Sequence, residues 1–168
     1  MILYIGVDPA FREGGFYVCV LNDNIADFQQ MKTFIDFVEF IDKIADNNLE
    51  AFICIENSNE TNHTFISPKI RSAPAREKIS RDVGKNQAVS QMSVDYAKYR
   101  LKVGVYSVSP AEKGTKWDNR TMQFSLKESG YTVKNYKGLK GEQDKRDAYK
   151  LALRARLEAI SYQKRKKF

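Results

Sequence analysis

Three short runs of the chain, residues 2–7, 16–21 and 51–55, are apolar and rich in strand-forming side chains at nearly every position. A strand with one face in water alternates apolar and polar residues, whereas a run without alternation belongs inside a sheet covered on both faces. This condition alone demands helices on two sides of a sheet. Two of the runs also stop at an acidic residue. Residues 2–7 end at Asp8-Pro9, where proline has no N–H to give a ladder, and residues 51–55 run directly into Glu56.

The segments between these runs supply the rest of the layers. Gly14-Gly15 makes the turn into 16–21, the cluster Asn22-Asp23-Asn24 makes the next, and residues 25–31 form a third antiparallel strand. Thr33 caps a helix with Phe34, Ile35, Phe37, Val38, Ile41 and Ile44 at helical spacing, ending near Asn47-Asn48. Residues 57–75 are polar and proline-containing, a long loop for a compact domain. A helix is expected from Arg76 to about Lys102, with Val89, Met92, Tyr96 and Tyr99 on one face and Val94, Ala97 and Leu101 on an adjoining one. Residues 103–108 form a strand, 118–128 a short helix, and 130–141 a loop. A last helix over about 143–163 carries Ala148, Leu151, Ala152, Ala155, Leu157 and Ile160. The order β-β-β-α-β-α-β-α-α predicts an α/β fold: a mixed five-stranded sheet, its first three strands antiparallel, flanked by helices.

At 168 residues this is one domain, 1–163, with a basic tail at 164–168. No apolar run approaches the ~20 residues of a membrane helix and no secretory leader is visible at the N-terminus, so a cytoplasmic protein is expected. Cys19 and Cys54 each sit inside an apolar run, which suits reduced core thiols better than a metal or redox motif. The net charge of +7 fits a protein that meets a polyanion.

The acidic residues carry the chemistry. Two divalent cations about 3.5–4 Å apart can activate water and stabilise the leaving oxygen of a phosphodiester, and gathering them requires clustered carboxylates. Asp8 and Glu56 would stand side by side if their strands are neighbours. Asp144 and Asp147, three apart at the start of the last helix, share a face and join them if that helix packs on the same sheet edge. Two readings stay open at this level. Asp8 suits a turn, and acidic residues in a first helical turn also complement the helix dipole.

Ile5-Gly6-Val7-Asp8-Pro9 with Gly15, then Ile55-Glu56, then Asp144-Lys145-Arg146-Asp147-Ala148 resemble, in order and in placement on strands and helix, the three motifs of the RuvC-type Holliday junction resolvases, within the RNase H-like superfamily. The resemblance extends over nearly the whole chain. It implies an RNase H-like fold and a homodimer that binds four-way DNA junctions. It further implies symmetric cutting with Mg²⁺ or Mn²⁺, two ions per site, held by Asp8, Glu56, Asp144 and Asp147. The segment from Val108 to Lys113 resembles the one that offers the family's lysine to DNA, which nominates Lys113 and Lys116 as catalytic phosphate contacts; solvated lysines are the other reading. The loop after Glu56 is longer and more basic than in bacterial members, and phage-encoded members vary there. Phe65 is a candidate wedge at the junction centre or a local anchor.

Lys69, Arg71, Arg76, Lys78, Arg81 and Lys85 cluster in and after this loop, and Lys134, Lys137 and Lys140 precede the last helix. Phe65, Lys69, Arg71, Arg76, Lys85, Lys113 and Lys116 form the expected DNA-binding set, whose affinity would fall steeply with salt as phosphate counterions are released. His63, the sole histidine, and Trp117 read as surface and packing residues respectively. The rival functions are a ribonuclease acting on RNA–DNA hybrids with the same carboxylates, and a non-catalytic module selective for DNA structure.

Overall fold

The computed structural model describes residues 1–10, 15–60, 72–101, 104–136 and 142–166. Strands β1 (Ile2–Pro9), β2 (Phe16–Asn22) and β3 (Ile25–Met31) form an antiparallel meander, and β4 (Glu50–Glu56) lies parallel to β1 on its other side. Strand β5 (Val105–Val108) extends the sheet beyond β4, and β6 (Thr132–Lys134) adds to the far edge beside β3. The sheet is therefore six-stranded, in the order β5-β4-β1-β2-β3-β6, one strand more than expected. The extra strand falls within the supposed loop 130–141. It is three residues long and exposed throughout, so it has no hydrophobic signature, and it is defined by pairing with Ile25, Ala26 and Asp27.

Helices cover both faces. Helix α1 (Phe34–Asp46) begins at Thr33, whose hydroxyl accepts from the Asp36 N–H while Asp36 accepts from the Thr33 N–H, a reciprocal capping box. It buries Phe37, Ile41 and Ile44, whereas Ile35, expected on the apolar stripe, is 67% exposed. Helix α2 (Ala73–Arg100) starts three residues before the expected Arg76, because Pro74 is tolerated in a first turn whose N–H groups have no intrahelical partner. Its buried face joins the expected Val94 and Ala97 to Ser90 and Ser93; of the other expected stripe Val89 and Tyr96 pack against the core, while Met92 and Tyr99 are exposed. Arg100 and Tyr96 reach back to Asp42 and tie α2 to α1. Together α1 and α2 cover the sheet face made by Leu3, Ile5, Val7, Val18, Val20, Ile53 and Ile55.

Helices α3 (Asn119–Glu128) and α4 (Glu142–Arg165) belong to the opposite side, where Tyr17, Cys19, Leu21, Phe28, Phe52 and Cys54 point. Helix α4 buries Ala148, Leu151, Ala152, Ala155 and Ala159, while Leu157 and Ile160 remain exposed against expectation. Its small side chains let the helix lie close on the strands. The closest approach is at Gly6, where a Cβ would stand 2.0 Å from the Ala148 carbonyl oxygen and 2.2 Å from the Ala152 nitrogen. Cys19 and Cys54 are both free and buried.

Among the described residues no helix is long and apolar enough to cross a membrane. A contrast with Gly6 lies in α2, where a Cβ on Gly84 would meet nothing within 4 Å. Gly84→Ala is therefore expected to stabilise the protein by about 0.5–1 kcal/mol through helix propensity alone, read as a higher urea midpoint at unchanged slope. An unchanged or lower midpoint would show that α2 needs the glycine for another reason.

Candidate active site

Strand parity brings the first two carboxylates together. Tyr4, Gly6 and Asp8 alternate onto the α4 side of β1, and Phe52, Cys54 and Glu56 do the same on β4. The parallel register pairs Gly6 with Cys54 and Val7 with Ile55, so continuing it by one residue sets Asp8 level with Glu56. Both acids lie in the last residues of their strands, inside the ladder rather than beyond it: Asp8 pairs with Tyr17 and Glu56 with Val108. Helix α4 crosses over this end of β1 and carries Asp147 just before Ala148, which packs at Gly6. Asp144 stands one turn earlier, near enough that its charge raises the pKa of Asp8 and of Tyr17.

A lysine occupies the centre. The turn after β5 is fixed by a reciprocal pair in which the Ser109 N–H donates to Glu112 Oε2 at 2.8 Å and the Glu112 N–H donates to Ser109 Oγ at 3.2 Å. These bonds hold the Glu112 carboxyl below its usual range. The turn presents Lys113, whose ammonium lies 2.8 Å from Asp147 Oδ2, 3.9 Å from Asp8 Oδ2, and directly against Glu56 Oε2. The buried Glu56 Oε2 is paired by the ammonium itself. The side chains of Lys113, Asp8, Glu56 and Asp147 are only 12%, 13%, 14% and 6% exposed.

Burial and mutual repulsion set the electrostatics. Burial pushes the Asp8 carboxyl well above the usual carboxylate range. Lys113 opposes that rise, and Glu56, Asp144 and Asp147 add to it. Burial also raises Asp144, with Asp147 contributing, against the pull of Lys113, Lys116 and Arg146. For Lys113, burial pulls downward, but Asp8 and Glu56 and the bond to Asp147 hold its ammonium above the ordinary lysine value. Removing the Lys113 ammonium from so dry a cluster would leave the carboxylates uncompensated.

Two residues that sequence reasoning passed over support Asp147. Gln143 Nε2 donates to Asp147 Oδ1 at 2.8 Å, and Arg146 Nη2 donates to Gln143 Oε1 at 3.0 Å while Nη1 reaches Asn119 Oδ1 at 2.7 Å. The signal was present as a Gln and an Asp four apart on one helix, a known stabilising pair, hidden within a motif scanned only for its acids. Asn57, buried next to Glu56, was also missed. Its N–H donates to the Val108 carbonyl at 2.8 Å, and its amide donates to Gln91 Oε1 at 3.1 Å and Glu60 Oε1 at 3.2 Å, fixing the exit of β4 against α2.

Other expected residues fall elsewhere. Lys116 is exposed and acts on Asp144 only through its charge. Arg76, Lys78, Arg81 and Lys85 are exposed on the first half of α2, with Arg81 ion-paired to Glu77. Lys134 lies on β6, at the sheet edge away from the carboxylates. Trp117 packs edge-on against Tyr149. Phe65, Lys69, Arg71, His63, Lys137 and Lys140 lie outside the described residues.

The donor set suits a hard divalent cation, since every candidate ligand is a carboxylate oxygen. Among the described residues, however, no three ligand-type side chains close on one point as a metal requires; the carboxylates are arranged around the Lys113 ammonium. Comparison of the chain with protein-family models, with curated proteins and with solved structures gave no match.

Proposed function

We propose that this protein is a metal-dependent endonuclease of the RNase H-like class that cuts branched DNA, four-way junctions above all. The observation that carries the reading is the gathering of Asp8, Glu56 and Asp147 from two adjacent strands and a crossing helix around one buried cation, Lys113, with Asp144 close enough for its charge to act on Asp8. The meander β1-β2-β3 followed by parallel strands, with helices on both faces, agrees with the sheet that the motif resemblance implies.

Asp8, Glu56 and Asp147 would hold Mg²⁺ or Mn²⁺, with Asp144 as fourth ligand at the more open side. The ions supply activation of water and neutralisation of charge on the scissile phosphate. The chain itself does the positioning. The ladders fix Asp8 and Glu56, Gln143 fixes Asp147, and Lys113 and Lys116 bring positive charge to the phosphate as negative charge develops. The exposed cations of α2 would hold the DNA backbone, which orients the substrate without reading sequence. A homodimer would set two such sites for paired cuts, a state that light scattering measures directly.

One observation favours a second reading. An ammonium that neutralises three carboxylates is also a structural salt bridge, as a DNA-binding module without cleavage would have.

The test is cleavage of end-labelled four-way junction, flap, duplex and RNA–DNA hybrid at one salt concentration, with Mg²⁺, with Mn²⁺ and with chelator. Paired symmetric nicks in the junction, absent with chelator, are expected. Hybrid cutting alone would replace the reading with a ribonuclease, and binding without any metal-dependent cutting would leave the module.

A further inference from the structure

We propose that Lys113 is the resident counter-ion of the carboxylate cluster and that loading of a divalent cation expels its ammonium, releasing that charge to the substrate phosphate. The inference rests on the metal-dependent reading above and concerns how the site is regulated.

The geometry makes the two cations mutually exclusive. The ammonium stands 2.8 Å from Asp147 Oδ2, 3.9 Å from Asp8 Oδ2 and against Glu56 Oε2, the same oxygens that a magnesium ion would hold at about 2.0–2.1 Å. A metal ion on those oxygens would stand within contact distance of the lysine nitrogen and carry charge of the same sign. The site cannot lack both cations, because Asp8, Glu56 and Asp147, close together and nearly dry, repel one another. The cluster is thus neutralised by one cation or the other.

The way Lys113 is attached allows the exchange. Its backbone is fixed, since the Lys113 N–H donates to the Ser109 carbonyl at 3.1 Å and the reciprocal Ser109–Glu112 bonds close the turn. The ammonium, by contrast, rides on a flexible four-carbon stem. A cavity of about 300 Å³, bounded by Val108, Trp117, Leu153 and Arg154, adjoins the stem and gives it room to turn. An ammonium displaced from three carboxylates needs an anionic partner, and bound DNA supplies a phosphate. Metal loading and substrate engagement are thereby coupled through one side chain.

Calorimetric titration of Mn²⁺ into the wild-type protein and Lys113→Met tests the exchange. The methionine keeps the stem and removes the charge, so the variant is expected to bind Mn²⁺ at least roughly tenfold more tightly, the effect of deleting one like charge at contact distance. Acylation of amines in the wild-type protein, mapped by peptide mass spectrometry, is the companion measurement and needs no variant. Lys113 is expected to be protected in metal-free protein and reactive at saturating Mn²⁺. Equal or weaker Mn²⁺ binding by the variant overturns the exchange and leaves the metal-dependent reading standing, as does Lys113 labelling that saturating Mn²⁺ leaves unchanged. Absence of Mn²⁺ binding to both proteins overturns both the exchange and the metal-dependent reading. Should Lys113→Met not fold, the labelling result decides.

Discussion

Asp8→Asn abolishes metal-dependent cleavage, by on the order of 10³-fold or more, equivalent to about 4 kcal/mol of barrier, while DNA binding persists. Asparagine has the same shape, so the β1 ladder and the packing of α4 survive. What is lost is a charged carboxylate oxygen from the buried cluster. DNA binding persists because removing a negative charge from a surface that meets phosphate cannot weaken the electrostatic attraction. The same substitution has an opposite effect on the metal-free fold. Burial pushes the Asp8 carboxyl well above the usual range, with Lys113 opposing and the other three acids adding. An acid raised in the folded state resists ionisation, so the folded protein bears a cost that is fully present above the raised value. The cost vanishes as pH falls to the unfolded value of about 4. In chelator at neutral pH the variant should therefore melt higher than the native protein, each kcal/mol being worth roughly 2–4 °C, and the gap should close on acidification. Melting curves between pH 4 and 8, run beside the cleavage assay, check both halves. A variant cutting at the native rate removes Asp8 from the site. A variant melting lower at neutral pH shows that its attraction to Lys113 outweighs its burial.

What could be read in the chain followed the range of the interactions involved. The turn at Asp23-Asn24, the strand Ile25–Met31 and the cap at Thr33 are set by neighbours in sequence, and each stands where local chemistry put it. The pairing of Asp8 with Glu56 was also legible, because strand parity and two apolar runs ending on acids leave few other arrangements. Strand β6 was not, since Thr132–Lys134 buries nothing and exists only through a partner strand about a hundred residues earlier. The buried face of α2 was legible only in part, for a related reason. Apolar content found Val94 and Ala97 but also pointed to the exposed Met92 and Tyr99, whereas Ser90 and Ser93 join the packed face, where small side chains permit close approach. The buried hydroxyls are satisfied, Ser93 by the Val89 carbonyl one turn back and Ser90 by Ser58 beyond the end of β4. Lys113 was named from a motif as a group for the phosphate. That its ammonium lies among the acids depends on where the turn after β5 comes to rest, which no local pattern encodes.

Gly6→Ala is expected to be severely damaging, costing on the order of 4 kcal/mol or preventing folding. The added Cβ would fall 2.0 Å from the Ala148 carbonyl oxygen, 2.2 Å from the Ala152 nitrogen and 2.8 Å from the Leu151 carbonyl carbon. All three are backbone atoms of one helix, so no side-chain rotation relieves the overlap and α4 must move as a body. It has little freedom to do so, being packed on β1, β2 and β4 through Ala148, Leu151, Ala152 and Ala155. Site and fold are coupled at this point. Asp147 precedes Ala148 by one residue and Asp8 follows Gly6 by two, so a retreat of α4 that accommodates the methyl also draws Asp147 and Asp144 away from Asp8 and Glu56. Any folded fraction should accordingly lose Mn²⁺ affinity and metal-dependent cutting together, although no ligand has been altered. Urea denaturation with Mn²⁺ calorimetry on the same preparation measures both, with Gly84→Ala as the control for adding a methyl where space is open. Near-native stability would mean that α4 rides further from β1 than its contacts at Gly6 indicate. Lost stability with intact metal binding would mean that the carboxylates are not held in place by that contact.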